Sequence, residues 1–331
     1  MEYPERLKLA QLPTPLQPLR RLQQKTGGPL IWLKRDDLTG ATLTGNKVRK
    51  LEFIVAAALA NGYGALITCG GIQSNHCRAT ALVAAQLGLQ CHLILRGEHD
   101  DSNPDEGNLF LDQLSNASIG YHPAKEYFKN IEQLFEIKVK EYAEKGIKAL
   151  AIPTGGSDGV GVWGYIAASQ ELQQNFAEHD IRPAAIICAT GSGGTQAGLT
   201  VGAKLFKLDA AVFGINVCDD EAWFVRKVSN DISQWQTLYP DAARLLGNNK
   251  PDIRVIDGYV GEGYGKASKE VLSTIRTLAT LEGVVFDPVY SGKAFHGLLS
   301  EINSGRFSDS RDICFIHTGG IFGLFPFASQ F

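Results

Sequence analysis

No apolar stretch of this 331-residue sequence approaches the length a bilayer requires. Runs such as 54–60 make only about two turns of helix, so no membrane span is expected. A basic segment leading into an apolar one is missing as well: Met1-Glu2-Tyr3-Pro4-Glu5-Arg6 opens with acids and proline and predicts no secretory signal. Cation excess is absent. The formal net charge is -3 and the densest basic clusters are Arg20-Arg21 and 47–50, which makes nucleic acid and anionic membrane poor partners. Cysteines are not arranged as a disulfide framework. All six, at 69, 77, 91, 188, 218 and 314, stand singly and mostly inside apolar runs such as Ile186-Ile187-Cys188-Ala189, as reduced thiols of a cytoplasmic protein do. His76-Cys77 and Cys91-His92 lack the gap a zinc knuckle uses, so no metal is expected. Repeats, low-complexity tracts and charge blocks are also lacking.

What is present is alternation. Short apolar runs at 30–34, 65–68, 91–95, 149–152, 184–189, 212–217, 253–256 and 312–317 read as strands, with helical stretches between most of them. Strand-helix alternation over the whole length specifies an α/β protein with mostly parallel sheet. The chain is long for one hydrophobic core, and no linker divides it, so a second lobe is expected as an insertion. Its expected bounds are 51–164, where the rhythm is self-contained, leaving 1–50 and 165–331 as the larger lobe.

Three segments carry chemistry. In Thr44-Gly45-Asn46-Lys47-Val48-Arg49-Lys50-Leu51-Glu52, Asn46 is a suitable N-cap, and Leu51, Ile54, Val55, Ala58 and Leu59 recur at helical spacing. Lys47 therefore falls in the first turn of a helix. The positive helix end, with Arg49 and Lys50 nearby, predicts a depressed pKa and a free amine able to form a Schiff base; alternatively, Lys47 is a solvated surface lysine.

Thr190-Gly191-Ser192-Gly193-Gly194-Thr195 joins a strand to a helix, with glycines that admit an anion and Ser192, Thr195 and helix N–H groups as donors. No Lys-Ser or Lys-Thr pair closes it as in a Walker loop, and Gly-x-Gly-Gly departs from the dinucleotide fingerprint. A monophosphate cradle fits best, against a plain tight turn. Gly70-Gly71-Ile72-Gln73-Ser74-Asn75-His76 repeats the layout, and its N–H groups, the Ser74 hydroxyl and the Asn75 amide suit a carboxylate; the competing reading makes Ser74 or Asn75 a helix cap. His76 joins that substrate-binding set, or simply starts the helix. An activated lysine, a phosphate cradle and a carboxylate grip are what a pyridoxal phosphate enzyme acting on an amino acid needs.

These segments, with the run Gln196-Ala197-Gly198 and Asp287-Pro288-Val289-Tyr290-Ser291-Gly292-Lys293, resemble the 1-aminocyclopropane-1-carboxylate (ACC) deaminase and D-cysteine desulfhydrase family, in order over nearly the whole chain. The resemblance implies a two-lobed fold of the tryptophan-synthase-β type (fold type II), pyridoxal 5'-phosphate as cofactor, a mobile smaller lobe and a homodimer. It makes Lys47 the Schiff-base lysine, 190–195 the phosphate loop, and Ser74 and Asn75 the contacts to the substrate carboxylate and cofactor oxygen. Tyr290, and Tyr264 in Gly263-Tyr264-Gly265, match the family's active-site tyrosines, where buried aromatic packing is the alternative. Family deaminases carry a glutamate after that tyrosine, contacting the pyridine nitrogen, and a leucine before the late Gly-Gly; here those positions are Ser291 and Thr318. A carboxylate keeps the ring nitrogen protonated, which opening a cyclopropane demands. A serine hydroxyl suffices for β-elimination.

The resemblance thus implies a lyase converting D-cysteine, or a related β-substituted amino acid, to pyruvate, ammonia and sulfide. ACC deamination and L-cysteate desulfonation are alternatives, and a pyridoxal-binding protein without turnover is another. An NAD-dependent oxidoreductase is more remote, because Asp219 and Asp220 lie far beyond the glycine loop. Trp163, Tyr165 and Phe295 are candidates for orienting the substrate.

Overall fold

Every residue of Ala65–Gly71, Ala185–Thr190 and Asp312–Ile316 is buried, a pattern that suits parallel strands sheathed on both faces. The computed structural model describes residues 1–100, 102, 105–247 and 251–331. In chain order, β1 (Leu16–Pro18) and α1 (Arg20–Thr26) precede β2 (Leu30–Lys34) and α2 (Asn46–Ala60). The middle of the chain runs β3 (Ala65–Gly71), α3 (Asn75–Gln86), β4 (Gln90–Arg96), α4 (Gly107–Leu114), β5 (Ser118–His122), α5 (Ala124–Glu144) and β6 (Ala149–Ile152). Then follow α6 (Trp163–Glu178), β7 (Ala185–Thr190), α7 (Gly194–Leu205), β8 (Ala211–Asn216), α8 (Glu221–Leu238), α9 (Pro240–Arg244) and β9 (Arg254–Ile256). Helices α10 (Lys269–Glu282) and α11 (Ser291–Asn303) lead into β10 (Asp312–Ile316).

Among the described residues the strands form a six-stranded sheet, ordered β1-β2-β10-β7-β8-β9, and a four-stranded sheet, β5-β4-β3-β6. All neighbours are parallel except β1 against β2. The two-residue period of β7 sends Ala185, Ile187 and Ala189 to one core, beneath α1, α10 and α11, and Ile186 and Cys188 to the other, beneath α6 and α7. In the smaller sheet, α2, α3 and α4 cover one face, while Tyr127 and Tyr142 of α5 cover the other.

The strands expected at 30–34 and 149–152 have those bounds, and β3 continues past the expected 68 because Gly70 and Gly71 pair with Leu95 and Arg96 of β4. The sequence reading missed β1 and β5. Ser118-Ile119-Gly120-Tyr121-His122 has no apolar run and forms an edge strand half open to solvent, and Pro18 hides β1, an antiparallel edge where a proline is tolerated. Helix α2 runs across position 50, so no break in secondary structure coincides with the boundary expected there.

Candidate active site

Ligands of parallel α/β sheets collect where the strands end at their carboxyl edges. Here the carboxyl end of β4, through Arg96, and the loops after β3, β6, β7, β8 and β10 all contribute to one cavity of about 560 Å³, lined from both sheets. Lys47, Ser74, Asn75, His76, Thr190, Gly191, Ser192, Gly193, Thr195, Tyr264, Tyr290 and Thr318 all line it. Residues as far apart as Lys47 and Thr318 therefore meet, as the sequence reading required; Gly194 and Ser291 do not line it.

Lys47 does sit in the first turn of α2, but Gly45 occupies the N-cap position, at φ +95°. A Cβ on Gly45 would lie 2.7 Å from the Thr318 carbonyl, so glycine lets the helix start against the chain after β10. Asn46 is not the cap. Its side-chain amide donates to Thr195 Oγ1 at 2.9 Å and ties the lysine's helix to the glycine loop. Burial pushes the Lys47 ammonium down to about 8, against the opposing pull of Asp287 and Cys188. The predicted direction holds, but Arg49 is not its source: the guanidinium is buried and paired with Asp36 at 2.7 Å and Glu171 at 2.8 Å, which balances its charge. Lys50 is buried too and is held below the ordinary lysine range by burial first and by Lys47 second.

Lys50 is also the residue the sequence reading undervalued. Its ammonium donates to the Gly155 carbonyl at 3.0 Å and Ser157 Oγ at 3.1 Å, and a Cβ on Gly194 would sit 2.8 Å from it. Ser157 Oγ also accepts the Gly194 N–H at 3.2 Å, and it donates to Ser192 Oγ at 2.9 Å. The N–H groups of Ser192, Gly193 and Thr195 have no protein acceptor among the described residues. Free donors at the start of α7 with a buried lysine beside them fit a phosphate. The signal available in the sequence was the i, i+3 spacing of Lys47 and Lys50 on one helix face.

Ser74 caps α3, its hydroxyl oxygen accepting from the Cys77 N–H at 3.2 Å, and the same residue lines the cavity, so capping does not remove it from the site. His76 is neutral, lowered by burial and then by Lys47 and Lys50. Thr68 Oγ1 gives its proton to the Ile152 carbonyl, so His76 donates from Nε2 to that oxygen at 2.8 Å and keeps a bare Nδ1. In this tautomer it offers a carboxylate no donor, contrary to its expected place in the grip.

Tyr264 and Tyr290 meet hydroxyl to hydroxyl at 2.6 Å. Burial raises both phenols; Tyr290 and Arg96, whose guanidinium lies 4.7 Å from the Tyr264 ring, partly offset this for Tyr264. Ser291 is fully buried and outside the cavity lining. Its hydroxyl lies 2.6 Å from Asp287 Oδ1 and 2.9 Å from the Gly319 carbonyl, so the expected contact to a cofactor nitrogen is not made from here. Asp287, buried, also accepts the N–H groups of Val289, Tyr290 and Ser291. Trp163, Tyr165 and Phe295 are buried in the cores and do not line the cavity; Tyr165 donates to Asp36 at 2.6 Å. Asp220 caps α8 through the Trp223 N–H, while Asp219 lines the cavity.

The family described as pyridoxal-phosphate dependent enzyme matches residues 7–319. A bifunctional D-cysteine desulfhydrase/ACC deaminase of Arabidopsis thaliana, mitochondrial, is 40% identical over 329 residues, covering 97% of this chain and 80% of that protein. A D-cysteine desulfhydrase of Klebsiella pneumoniae is 39% identical over 326 residues, covering 97% and 96%. The crystal structure of an ACC deaminase homologue superposes with a TM-score of 0.87 at 35% identity, over 98% of this chain and 95% of that one. The NAD reading is thereby set aside. With a lysine, a glycine loop of unpaired N–H donors and a tyrosine pair around one cavity, the chain belongs to the pyridoxal-phosphate dependent enzyme family.

Proposed function

We propose that the chain catalyses β-elimination from D-cysteine, or a related amino acid with a β leaving group, to give pyruvate, ammonia and sulfide. The observation that carries this reading is at position 291. The deaminase pattern has a glutamate there; this chain has a serine whose hydroxyl is satisfied by Asp287 and Gly319. No carboxylate at that position holds a proton on the ring nitrogen, so cleavage of a substrate lacking an α-hydrogen is disfavoured, while elimination after α-proton removal is not.

Bound pyridoxal phosphate supplies an electron sink conjugated to the substrate α-carbon. The 190–195 loop and the first N–H groups of α7 would hold its phosphate, with the buried Lys50 behind them, and Ser74 and Asn75 would hold the substrate carboxylate. Lys47 Nζ, with its pKa brought to about 8, takes the α-proton. Tyr264 and Tyr290 are protonated at neutral pH, and their paired hydroxyls supply the proton with which sulfur departs. The enamine product then reacts with water to give pyruvate and ammonia. The same proposal takes residues 1–50 and 165–331 as the cofactor lobe, 51–164 as a mobile inserted lobe, and the working unit as a cytoplasmic homodimer.

The test is keto-acid release from D-cysteine, L-cysteine, L-cysteate and ACC by the pyridoxal-loaded protein. Pyruvate with sulfide from D-cysteine is the expected result. Oxobutyrate from ACC as the main product would refute the argument from Ser291, and sulfite from L-cysteate alone would move the leaving group from sulfide to sulfonate.

A further inference from the structure

Asn75 faces the cavity with one end of its amide and the protein interior with the other, and which end faces which decides whether a ligand oxygen meets a donor or an acceptor. Two neighbouring amides answer this. Gln73 Nε2 donates to the Glu106 carbonyl at 3.0 Å, so Gln73 Oε1 is turned to accept the Asn108 N–H at 2.9 Å. Asn108 Nδ2 donates to the Gln73 carbonyl at 3.1 Å and to Asn75 Oδ1 at 3.0 Å. A backbone carbonyl only accepts, so each amide is oriented by an anchor that cannot reverse. The oxygen of Asn75 is thereby held inward and its NH2 is left for the cavity, with no protein partner among the described residues.

The geometry around the relay is tight. Asn108 is fully buried at the start of α4. The preceding Gly107, at φ +60°, comes so close that a Cβ would lie 2.7 Å from Gln73 Oε1 and 2.5 Å from the Phe322 carbonyl. Any side chain there would push the Gln73 amide away and open the relay.

We propose that Asn108 is a positioning residue: it fixes the Asn75 amide so that the site presents a hydrogen-bond donor to an anionic ligand oxygen. This rests on the reading that Asn75 touches the bound cofactor or substrate. Without Asn108 the Asn75 amide is free to rotate, and half of its orientations aim a carbonyl oxygen at an anion.

The experiment is a double-mutant cycle on the holoenzyme with Asn75→Ala and Asn108→Ala, reading the KM and kcat for D-cysteine and the visible absorption band of the bound cofactor. Asn108→Ala is expected to lower kcat/KM about tenfold or more, the range of one hydrogen bond to a charged group, and to move the band in the same direction as Asn75→Ala. In the Asn75→Ala background it should cost nothing further, because its effect passes through Asn75. Losses that add fully, or an Asn108→Ala protein with wild-type KM and band, would overturn the proposal. Wild-type KM and band in Asn75→Ala would instead remove Asn75 from the ligand and sink the underlying reading. If Asn108→Ala does not fold, Gln73→Ala loosens the relay from its outer, partly exposed end. A smaller band shift in the same direction supports the proposal, and none refutes it.

Discussion

Raising the pH on the apoenzyme should switch on Lys47 more than two units below an ordinary lysine. With the ammonium brought down to about 8, roughly a quarter of Lys47 is free amine at pH 7.5, against about one in a thousand for a solvated lysine at its usual 10.5. Attack on an aldehyde needs the free amine, so at pH 7.5 Lys47 should combine with pyridoxal phosphate about 200-fold faster than expected for a lysine of ordinary pKa and equal intrinsic reactivity. The assay is the second-order rate of cofactor attachment to apoenzyme, followed by visible absorbance between pH 6.5 and 10. The rate should climb tenfold per pH unit at first and level off above about 8. The cause is checked by Lys50→Met. Burial, and not Lys50, is the largest influence on Lys47, so removing Lys50 should move the midpoint by less than about half a unit. A midpoint near 10 would refute desolvation of Lys47. A midpoint that rises by a unit or more in Lys50→Met would return the cause to neighbouring charge, as the sequence alone suggested.

Two further outcomes follow from buried carboxylates. Ser291→Glu sets a second acid against Asp287 in a site closed to water, and should destabilise the fold by about 3 kcal/mol in urea unfolding; wild-type stability would mean that residue 291 reaches the cavity after all. Asp112 is buried with both carboxyl oxygens unpartnered, and burial raises it to about 8, opposed by Arg78. The folded state thus holds a proton that the unfolded chain loses near pH 4, so stability from this group falls as pH rises from about 4 to 8. Asp112→Asn should therefore raise Tm more at pH 8.5 than at pH 5, and an equal change at both would refute the assignment.

Much of the site was legible because its parts are local. A strand running into glycines and a helix start is written in consecutive residues, and 190–195 and 70–76 adopt that layout. Strands buried on both faces were legible for the same reason, as uninterrupted apolar runs; β1 and β5 were not, since edge strands need no such run. Side-chain direction was much less legible. Ser291 follows Tyr290 in the chain, yet the turn held by Asp287 points one hydroxyl into the cavity wall and the other inward.

By itself, then, the sequence determined the α/β alternation, the position of Lys47 at a helix start and the glycine loops that join strand to helix, because backbone preference and periodicity act within a few residues. Tertiary structure alone decided which charges remain free. Arg49 is neutralised by Asp36 and by Glu171, 122 positions away, while Lys50 is stripped of water beside Gly155 and Ser157. Desolvation and ion pairing depend on what the fold brings within a few ångströms, and no spacing along the chain records that.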